Sequence, residues 1–491
     1  MSAVSSDINQ RARYQDIGLV LGPAIFVFMM LFDASQNAMP QEAWRVAGVG
    51  LWMATWWATE AIPVPVTAFL PIVIFPFMGI ATIADTTSAY ANPIIYLFLG
   101  AFILALAVER WMLHKRIALF ILTLTGTDGK RLIGGFMLVA ALLSMWMTNT
   151  STTMMLMPIA LSVASVIANN NEQLTPQQNK SFQVAMLLGL AYAATIGGLA
   201  TLVGTPPNAL LAAFLTENYD IKITFANWMM VGVPVTAIML PLAWYSLTHL
   251  SFKINIPANQ KVNDYLRHLR DELGDMSVAE KRVAFVFAGV VILWILRRPI
   301  NAWFGTTGLS DAGIAMAAAL LLFLLPSGNK EQSQIMVWEN VSRLPWGVLI
   351  LFGGGLSLAS AVSSTGLAAF LGQSLTPLGG LGIFVLIIAA TGLVIFLTEM
   401  TSNIATTATF LPVVGAVAIE LGVSPLLLCV PITLAASCAF MLPVATPPNA
   451  IVFASGVLNI PQMVRAGVIL NIIGMVLLSI VSIWLAPWVL L

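Results

Sequence analysis

Two pairs of short polar motifs recur in the same order, each embedded in strongly apolar sequence. The first pair is Thr148-Asn149-Thr150 followed by Gly204-Thr205-Pro206-Pro207-Asn208. The second is Ser402-Asn403-Ile404 followed by Ala445-Thr446-Pro447-Pro448-Asn449. This pattern constrains the fold more than any other feature. Proline lacks an amide hydrogen and clashes with the preceding turn, so each Pro-Pro interrupts a helix. In hydrocarbon, every backbone group left without a partner is costly, and interrupted backbone is tolerated only inside protein or beside a water-filled cavity. Pro-interrupted apolar segments at corresponding places in two halves point to a ligand site near the middle of a membrane.

The membrane setting follows from composition. Of 491 residues, 59% are hydrophobic and 9% charged, a balance that only a polytopic membrane protein requires. Net charge is zero, so no basic field points to nucleic acid as a partner. Cys429 and Cys438 lie in one apolar segment and read as small core residues. His114, His249 and His268 are scattered and suggest no metal cluster. The N-terminus, with Asp7, Arg11, Arg13 and Asp16, lacks a signal-peptide pattern.

A helix needs about 20 apolar residues to cross. Full spans are expected near 17–34, 45–58, 64–82, 93–110, 182–215, 227–249, 283–304, 310–326, 345–362, 425–457 and 464–488. Two more apolar stretches, 131–168 and 380–421, are interrupted at their middles by the Asn motifs and are expected to form re-entrant helical hairpins. The fold class is therefore all-α and polytopic, with about 11 transmembrane helices plus two hairpins.

Lys and Arg set the expected orientation. They fall at Arg11 and Arg13, at Arg110 to Arg131, at Lys180, across Lys253–Arg282, and at Lys330, Arg343 and Arg465. Eleven crossings put all of these on the side of the N-terminus, which is then cytoplasmic, and leave the C-terminus outside. Arg45, Lys222, Arg297 and Arg298 are the exceptions. The polar segment 251–282 is expected to be a cytoplasmic amphipathic helix and linker. Asn403 lies 254 residues after Asn149, and the intervening crossings reverse direction, which predicts an inverted-topology repeat. The expected division is a scaffold of 1–130 and 283–379, and a moving domain of 131–250 and 380–491.

Hairpin tips expose helix C-terminal carbonyls and helix N-terminal amides. Carbonyls with Asn and Thr oxygens suit a hard cation such as sodium, and amides with hydroxyls suit an anion. No Lys, Arg or His lies in the four motifs, so an anion would need co-bound cations and helix dipoles to offset its charge. Glu399, just before the second tip, could bias the site toward cations or simply accept bonds from tip amides. A lone Asn or Thr in a membrane helix is ordinarily interhelical glue, and it is the ordered repetition that favours a site. The Trp52, Trp56 and Trp57 cluster reads as interfacial packing, and Gly353-Gly354-Gly355 as close helix packing rather than a phosphate loop. No nucleophile with its base and no metal constellation suggests an enzyme.

These paired motifs resemble those of the divalent anion–sodium symporter family, carriers of dicarboxylates, citrate or sulfate. Its hallmark is Ser-Asn-Thr at each of two tips, with a Gly/Ala-Ser/Thr-Pro-Pro-Asn break after each. The resemblance implies a first sodium held by Ser144, Thr148, Asn149 and the Gly204 carbonyl. A second would be held by Thr398, the Thr401 carbonyl, Asn403 and the Ala445 carbonyl. The anion would meet Asn149, Thr150, Thr205, Asn403, Thr446 and Pro447. It also implies a homodimer in the plasma membrane and an elevator motion of a transport domain. Two departures stand out: Thr148 replaces the first Ser and keeps its hydroxyl, whereas Ile404 replaces the second Thr and removes one. The expected activity is sodium-coupled transport of a small dianion, a C4-dicarboxylate such as succinate, malate or fumarate. A sodium-independent exchanger and a sulfate or citrate carrier are the alternatives.

Overall fold

A computed structural model describes residues 12–31, 39–169, 174–305, 308–329, 332–375, 380 and 382–490. The described residues are helical, with no strand beyond one isolated bridge between Pro326 and Gln334. Nine of their helices are long and apolar enough to cross a membrane, and further apolar helices are shorter. The protein is an all-α integral membrane protein, as expected.

The first two helices, Arg13–Leu31 and Gln41–Thr59, pack together through the tryptophan cluster. Gly22 abuts Trp52 and Trp56, the Trp56 ring donates to the Leu19 carbonyl at 3.3 Å, and buried Trp57 donates to the Val64 carbonyl. These rings serve packing, as the sequence suggested. The expected span 64–82 is not one helix. It is split into Val64–Thr67 and Leu70–Phe77, because Pro71 lacks the amide that would reach back to the Thr67 carbonyl. The expected first span, 17–34, runs past Leu31 into residues outside those described.

One helix went unanticipated. Leu113–Leu124, in the basic stretch after Pro93–Arg110, buries Leu113, Ala118, Leu119 and Leu122 on one face. It packs on the amphipathic helix Gln260–Asp271, which buries only Val262 and Leu266 and realises the expected helix in the polar linker. Arg116 ties the two regions, reaching Glu280 at 2.5 Å and the Gly274 carbonyl at 2.9 Å. Gly353, Gly354 and Gly355 pack against Tyr90, Ala68 and Ala408. A Cβ on Gly354 would lie 2.5 Å from the Ala68 carbonyl oxygen, so close helix packing is what these glycines provide.

Both Asn motifs lie between two helical arms. The first pair of arms is Gly129–Ser144 and Asn149–Asn169. Asp128 caps the leading arm, and Thr175 with Gln178 forms a capping box that starts the next helix, Pro176–Gly198. The leading arm runs parallel to that helix. Met137 lies against Gly189, and a Cβ on Gly197 would come within 2.5 Å of the Ala141 Cα. The trailing arm starts against Gly198 and ends at the short connection leading to Pro176, so it runs the opposite way. The arms are therefore antiparallel and form a hairpin.

The second half repeats this arrangement with Ile383–Thr398 and Asn403–Glu420 as arms and Leu426–Ala436 as the following helix. The Thr398 hydroxyl donates to the Ala436 carbonyl at 2.7 Å, joining the end of the leading arm to the end of that helix. The trailing arm connects through residues 421–425 to its beginning. The expected spans 182–215 and 425–457 are both interrupted, at 199–205 and 437–446, where the Thr-Pro-Pro-Asn motifs lie.

Each half then reaches into the other. Pro206–Tyr219, after the first break, packs on the trailing arm of the second hairpin. Pro447–Ala454, after the second break, packs on the trailing arm of the first hairpin and on Pro176–Gly198. This interlock gathers two tips and two breaks into one packed body.

Candidate functional site

The two breaks are built alike. Thr205 and Thr446 are both buried N-cap residues with extended backbone, φ −143° and ψ 138° in one, φ −143° and ψ 151° in the other. Pro206 and Pro447 take the first helical position, where no amide donor is needed. Asn208 donates from its side chain to the carbonyls of Gly198, Leu199 and Thr201, at 3.2, 3.4 and 2.8 Å. Asn449 donates to the carbonyls of Ala439 and Leu442, at 3.3 and 3.0 Å. The shared partners lie ten and seven residues upstream in both halves. The last residue of each motif thus satisfies carbonyls that the end of the preceding helix and the extended break leave without a helical partner.

At the first tip, Ser144 ends the leading arm and is fully buried. Its hydroxyl has no hydrogen-bond partner, and neither does the Asn149 Oδ1. Asn149 Oδ1 and the Gly204 carbonyl oxygen both crowd the Gly198 Cα. A Cβ placed there would lie 2.9 Å from the first and 3.0 Å from the second. The Thr148 hydroxyl accepts from the Ser151 amide at 3.2 Å and donates to the Ser151 hydroxyl at 3.1 Å. Gly204 is fixed through its amide, which donates to the Thr201 hydroxyl at 3.0 Å, while that hydroxyl donates to the Met145 carbonyl at 2.5 Å. Partnerless buried hydroxyls also occur away from the tips, at Thr67, Thr195 and Thr391, so it is the convergence of the Asn149 Oδ1 with the Gly204 carbonyl oxygen beside Gly198 that suits a cation. The structure therefore brings Asn149 and Gly204 together and places Ser144 and Thr148 on the same tip. Thr150 is half-buried in the first turn of the trailing arm.

The second tip is more internally bonded. The Thr398 hydroxyl shares its one proton between the Ala436 carbonyl and the Asn403 Oδ1, which lies 2.8 Å away. The Thr401 hydroxyl donates to the Leu397 carbonyl at 3.0 Å and lies 2.7 Å from the Thr406 hydroxyl. Ala445 is buried just before Thr446, whose hydroxyl accepts from the Asn449 amide at 3.3 Å. Pro447 is exposed and Ile404 half-buried. Around this site the Ser437 hydroxyl and the Asn449 Oδ1 are buried without partners.

Glu399 accepts no tip amide. Its carboxylate is buried and receives the Phe440 amide at 2.8 Å, the Met441 amide at 2.9 Å, the Leu442 amide at 3.0 Å and the Asn471 side chain at 2.8 Å. Its partners thus lie in the break and in the last long helix, Ile460–Trp484. Sequence reasoning assigned nothing to Thr201 or Asn471. A lone Asn in an apolar helix was the available signal for the second, and the spacing of Thr201 just ahead of Gly204 for the first.

The described residues hold no group of three or more His, Cys, Asp or Glu able to take a metal, and both cysteines are buried and free. Oxygens from Asn, Thr, Ser and backbone are the polar groups that the two tips and two breaks bring together.

Known proteins agree with this architecture. A family model described as the sodium:sulfate symporter transmembrane region matches residues 15–491. The sodium-dependent dicarboxylate transporter SdcS of Staphylococcus aureus strain bovine RF122 / ET3-1 is 42% identical over 479 residues, covering 97% of this chain and 92% of the relative. The SdcS sequence of strain USA300 matches to the same extent. Among solved structures, the Alcanivorax borkumensis YdaH transporter shares the fold at a TM-score of 0.55 and 14% identity, covering 90% of this chain and 99% of that one. With a family match over almost its whole length, the chain belongs to the divalent anion–sodium symporters.

Proposed function

We propose that the protein is a secondary active transporter that carries a C4-dicarboxylate such as succinate, malate or fumarate across the plasma membrane together with sodium. The observation that carries this reading is the pairing of donor-less buried oxygens at the first tip with a complete lack of cationic side chains in the four motifs. A dianion entering such a site meets only dipoles and hydroxyls, so its charge must be balanced by cations that the same tips hold. The similarity to a sodium-dependent dicarboxylate transporter supports both cargo and coupling.

In this reading the first sodium sits among Ser144, Thr148, Asn149 and the Gly204 carbonyl, and the second among Thr398, the Thr401 carbonyl, Asn403 and the Ala445 carbonyl. The dianion lies between the tips, against Asn149, Thr150, Thr205, Asn403, Thr446 and Pro447. The interlocked halves move as one transport domain against a dimeric scaffold, exposing the site to each side in turn by an elevator motion. The decisive experiment is uptake of labelled succinate, citrate and sulfate into proteoliposomes with and without a sodium gradient. Succinate uptake that collapses when sodium is replaced by potassium or choline is the expected result. Undiminished uptake without sodium would identify an exchanger, and a preference for sulfate or citrate would reassign the cargo.

A further inference from the structure

Among the described residues, three side-chain hydrogen bonds join the segments expected to move with those expected to stay, apart from the chain connection at Lys130. All three fall on residues 217–225. Asn92 caps Pro93–Arg110 by accepting the Ile94 amide at 2.9 Å, and its side-chain nitrogen donates to the Glu217 carboxylate. The Ser363 hydroxyl, near the end of Trp346–Ser364, donates to the Asn218 Oδ1 at 2.6 Å. The Phe225 amide, at the start of Phe225–Tyr245, donates to the Asp311 carboxylate at 3.0 Å. Each bond reaches a different scaffold helix, since Asp311 opens Asp311–Leu324.

The three contacts are unequal. Glu217 and Ser363 are exposed, so the first two lie at the rim, whereas Phe225 and Asp311 are both buried. Arg297 meets the same Asp311 oxygen at 3.0 Å, and the Trp294 ring donates to the Asp311 backbone carbonyl at 3.1 Å. Were the segment to leave, Asp311 would keep Arg297. The Phe225 amide, at a helix start where no intrahelical acceptor exists, would lose its partner.

The segment also begins at the far end of the helix that follows the first break. Pro206–Tyr219 has 14 residues and spans about 21 Å, with Thr205 at one end and Glu217 and Asn218 at the other. Its counterpart, Pro447–Ala454, packs on the first hairpin and on Pro176–Gly198, within the moving segments. Beyond it, the Ser455 and Asn459 side chains bond within their own stretch of chain. The tie to the scaffold is therefore made after one break and not after the other.

We infer that residues 217–225 form a latch, seated on Asn92, Ser363 and Asp311, that holds the transport domain in the orientation seen here. Because the second half has no matching tie among the described residues, the bias between the two orientations is one-sided. This inference rests on the elevator reading above.

The test uses full-length protein in proteoliposomes carrying Asn218→Cys with Ser363→Cys. A short reducible bifunctional crosslinker should join the pair and stop sodium-driven succinate uptake, and reduction should restore it. Normal uptake by the crosslinked protein overturns the latch. The crosslinking rate also reports how much of the time the latch is closed. In this background Glu217→Leu should slow crosslinking about two- to fivefold, as the loss of one net hydrogen bond implies, whereas Glu217→Gln keeps an acceptor and should not. Asn92→Asp retains the Ile94 cap but removes the donor, so it should slow crosslinking as well. Combined with Glu217→Leu it should slow it no further than the slower single variant, because both act on one bond. A wild-type rate in both single variants overturns the proposal, and should one of them not fold, a wild-type rate in the other is enough. Wild-type protein that takes up no dianion would instead reject the transport reading, and the latch with it.

Discussion

Trp146 lies parallel to Trp294, with ring centres 6.4 Å apart and planes 5° apart. Trp146 belongs to the first hairpin tip, whereas Trp294 is buried in the middle of the long helix Val278–Phe304. Phe225 stacks on Trp294 at 4.2 Å, and Phe287 meets Trp146 edge-on at 5.3 Å. Each aromatic pair of this kind contributes about 0.5–1.5 kcal/mol beyond the area it buries. If the tip travels with a transport domain while Val278–Phe304 stays with the scaffold, this slab must separate in every cycle. A reducible bifunctional crosslinker joining cysteines at 146 and 294 should stop uptake, and reduction should restore it. Normal transport by the crosslinked protein would contradict a rigid domain moving against that helix.

The side chains of Asn208 and Asn449 bridge their breaks. Without them the Leu199, Thr201 and Leu442 carbonyls keep the Trp228 ring, the Gly204 amide and the Ala445 amide, whereas the Gly198 and Ala439 carbonyls lose their donor at about 1–3 kcal/mol each. Asn208 serves three carbonyls and Asn449 two. Thermal unfolding in detergent should show both alanine variants destabilised, with Asn208→Ala the more affected. Equal stability to wild type in both would mean that the breaks do not depend on this bridging.

The two tip asparagines should separate stability from activity. Asn149 Oδ1 has no internal partner, so Asn149→Ala forfeits no bond to that oxygen, whereas Asn403→Ala loses the bond from Thr398, worth about 1 kcal/mol. Both variants should lose sodium-driven uptake, and only Asn403→Ala should unfold at a lower temperature. Robust uptake by Asn149→Ala would remove the first cation site from the mechanism.

Thr150 presents a hydroxyl at the first tip where Ile404 presents hydrocarbon at the second. A hydrogen bond to a charged ligand contributes about 1.5–3 kcal/mol, so Thr150→Ala should weaken apparent succinate affinity roughly ten- to hundredfold. Ile404→Ala should alter affinity little, and Ile404→Thr should shift the preference among dianions in a competition assay. Wild-type affinity in Thr150→Ala would exclude that hydroxyl from anion binding.

Orientation can be checked at Asp271, which is exposed on the linker helix. A cysteine introduced there should react with an impermeant thiol reagent only after cells are opened. Labelling in intact cells would invert the assigned sides of the protein.

Much of this architecture was legible in the sequence because its signals are local. Apolar length announced the helices, and Pro206-Pro207 and Pro447-Pro448 announced the breaks. Asn149 and Asn403 marked the tips between helical arms. The splitting of 64–82 was also local but was passed over, since Pro65, Pro71 and Pro76 lie in a run apolar enough to cross. The helix Leu113–Leu124 was hidden because Lys115 and Arg116 masked an apolar face that exists only in helical projection. The partners of Glu399 could not be read at all. Its carboxylate meets amides 41 to 43 residues away and Asn471 at a separation of 72, and no periodicity reports such a contact.

Gly204 carries a consequence for how the two halves can diverge. A Cβ at that position would come within 2.5 Å of the Gly198 carbonyl oxygen and 2.9 Å of its Cα, whereas Ala445, its counterpart, already bears one. A recombination event that copied the second break onto the first would preserve every polar group of the motif and still insert a methyl into filled space. The reverse copy would merely delete one. Exchange of sequence between the halves is therefore a one-way street at this point, and the duplicated motifs are held apart by backbone packing rather than by their chemistry.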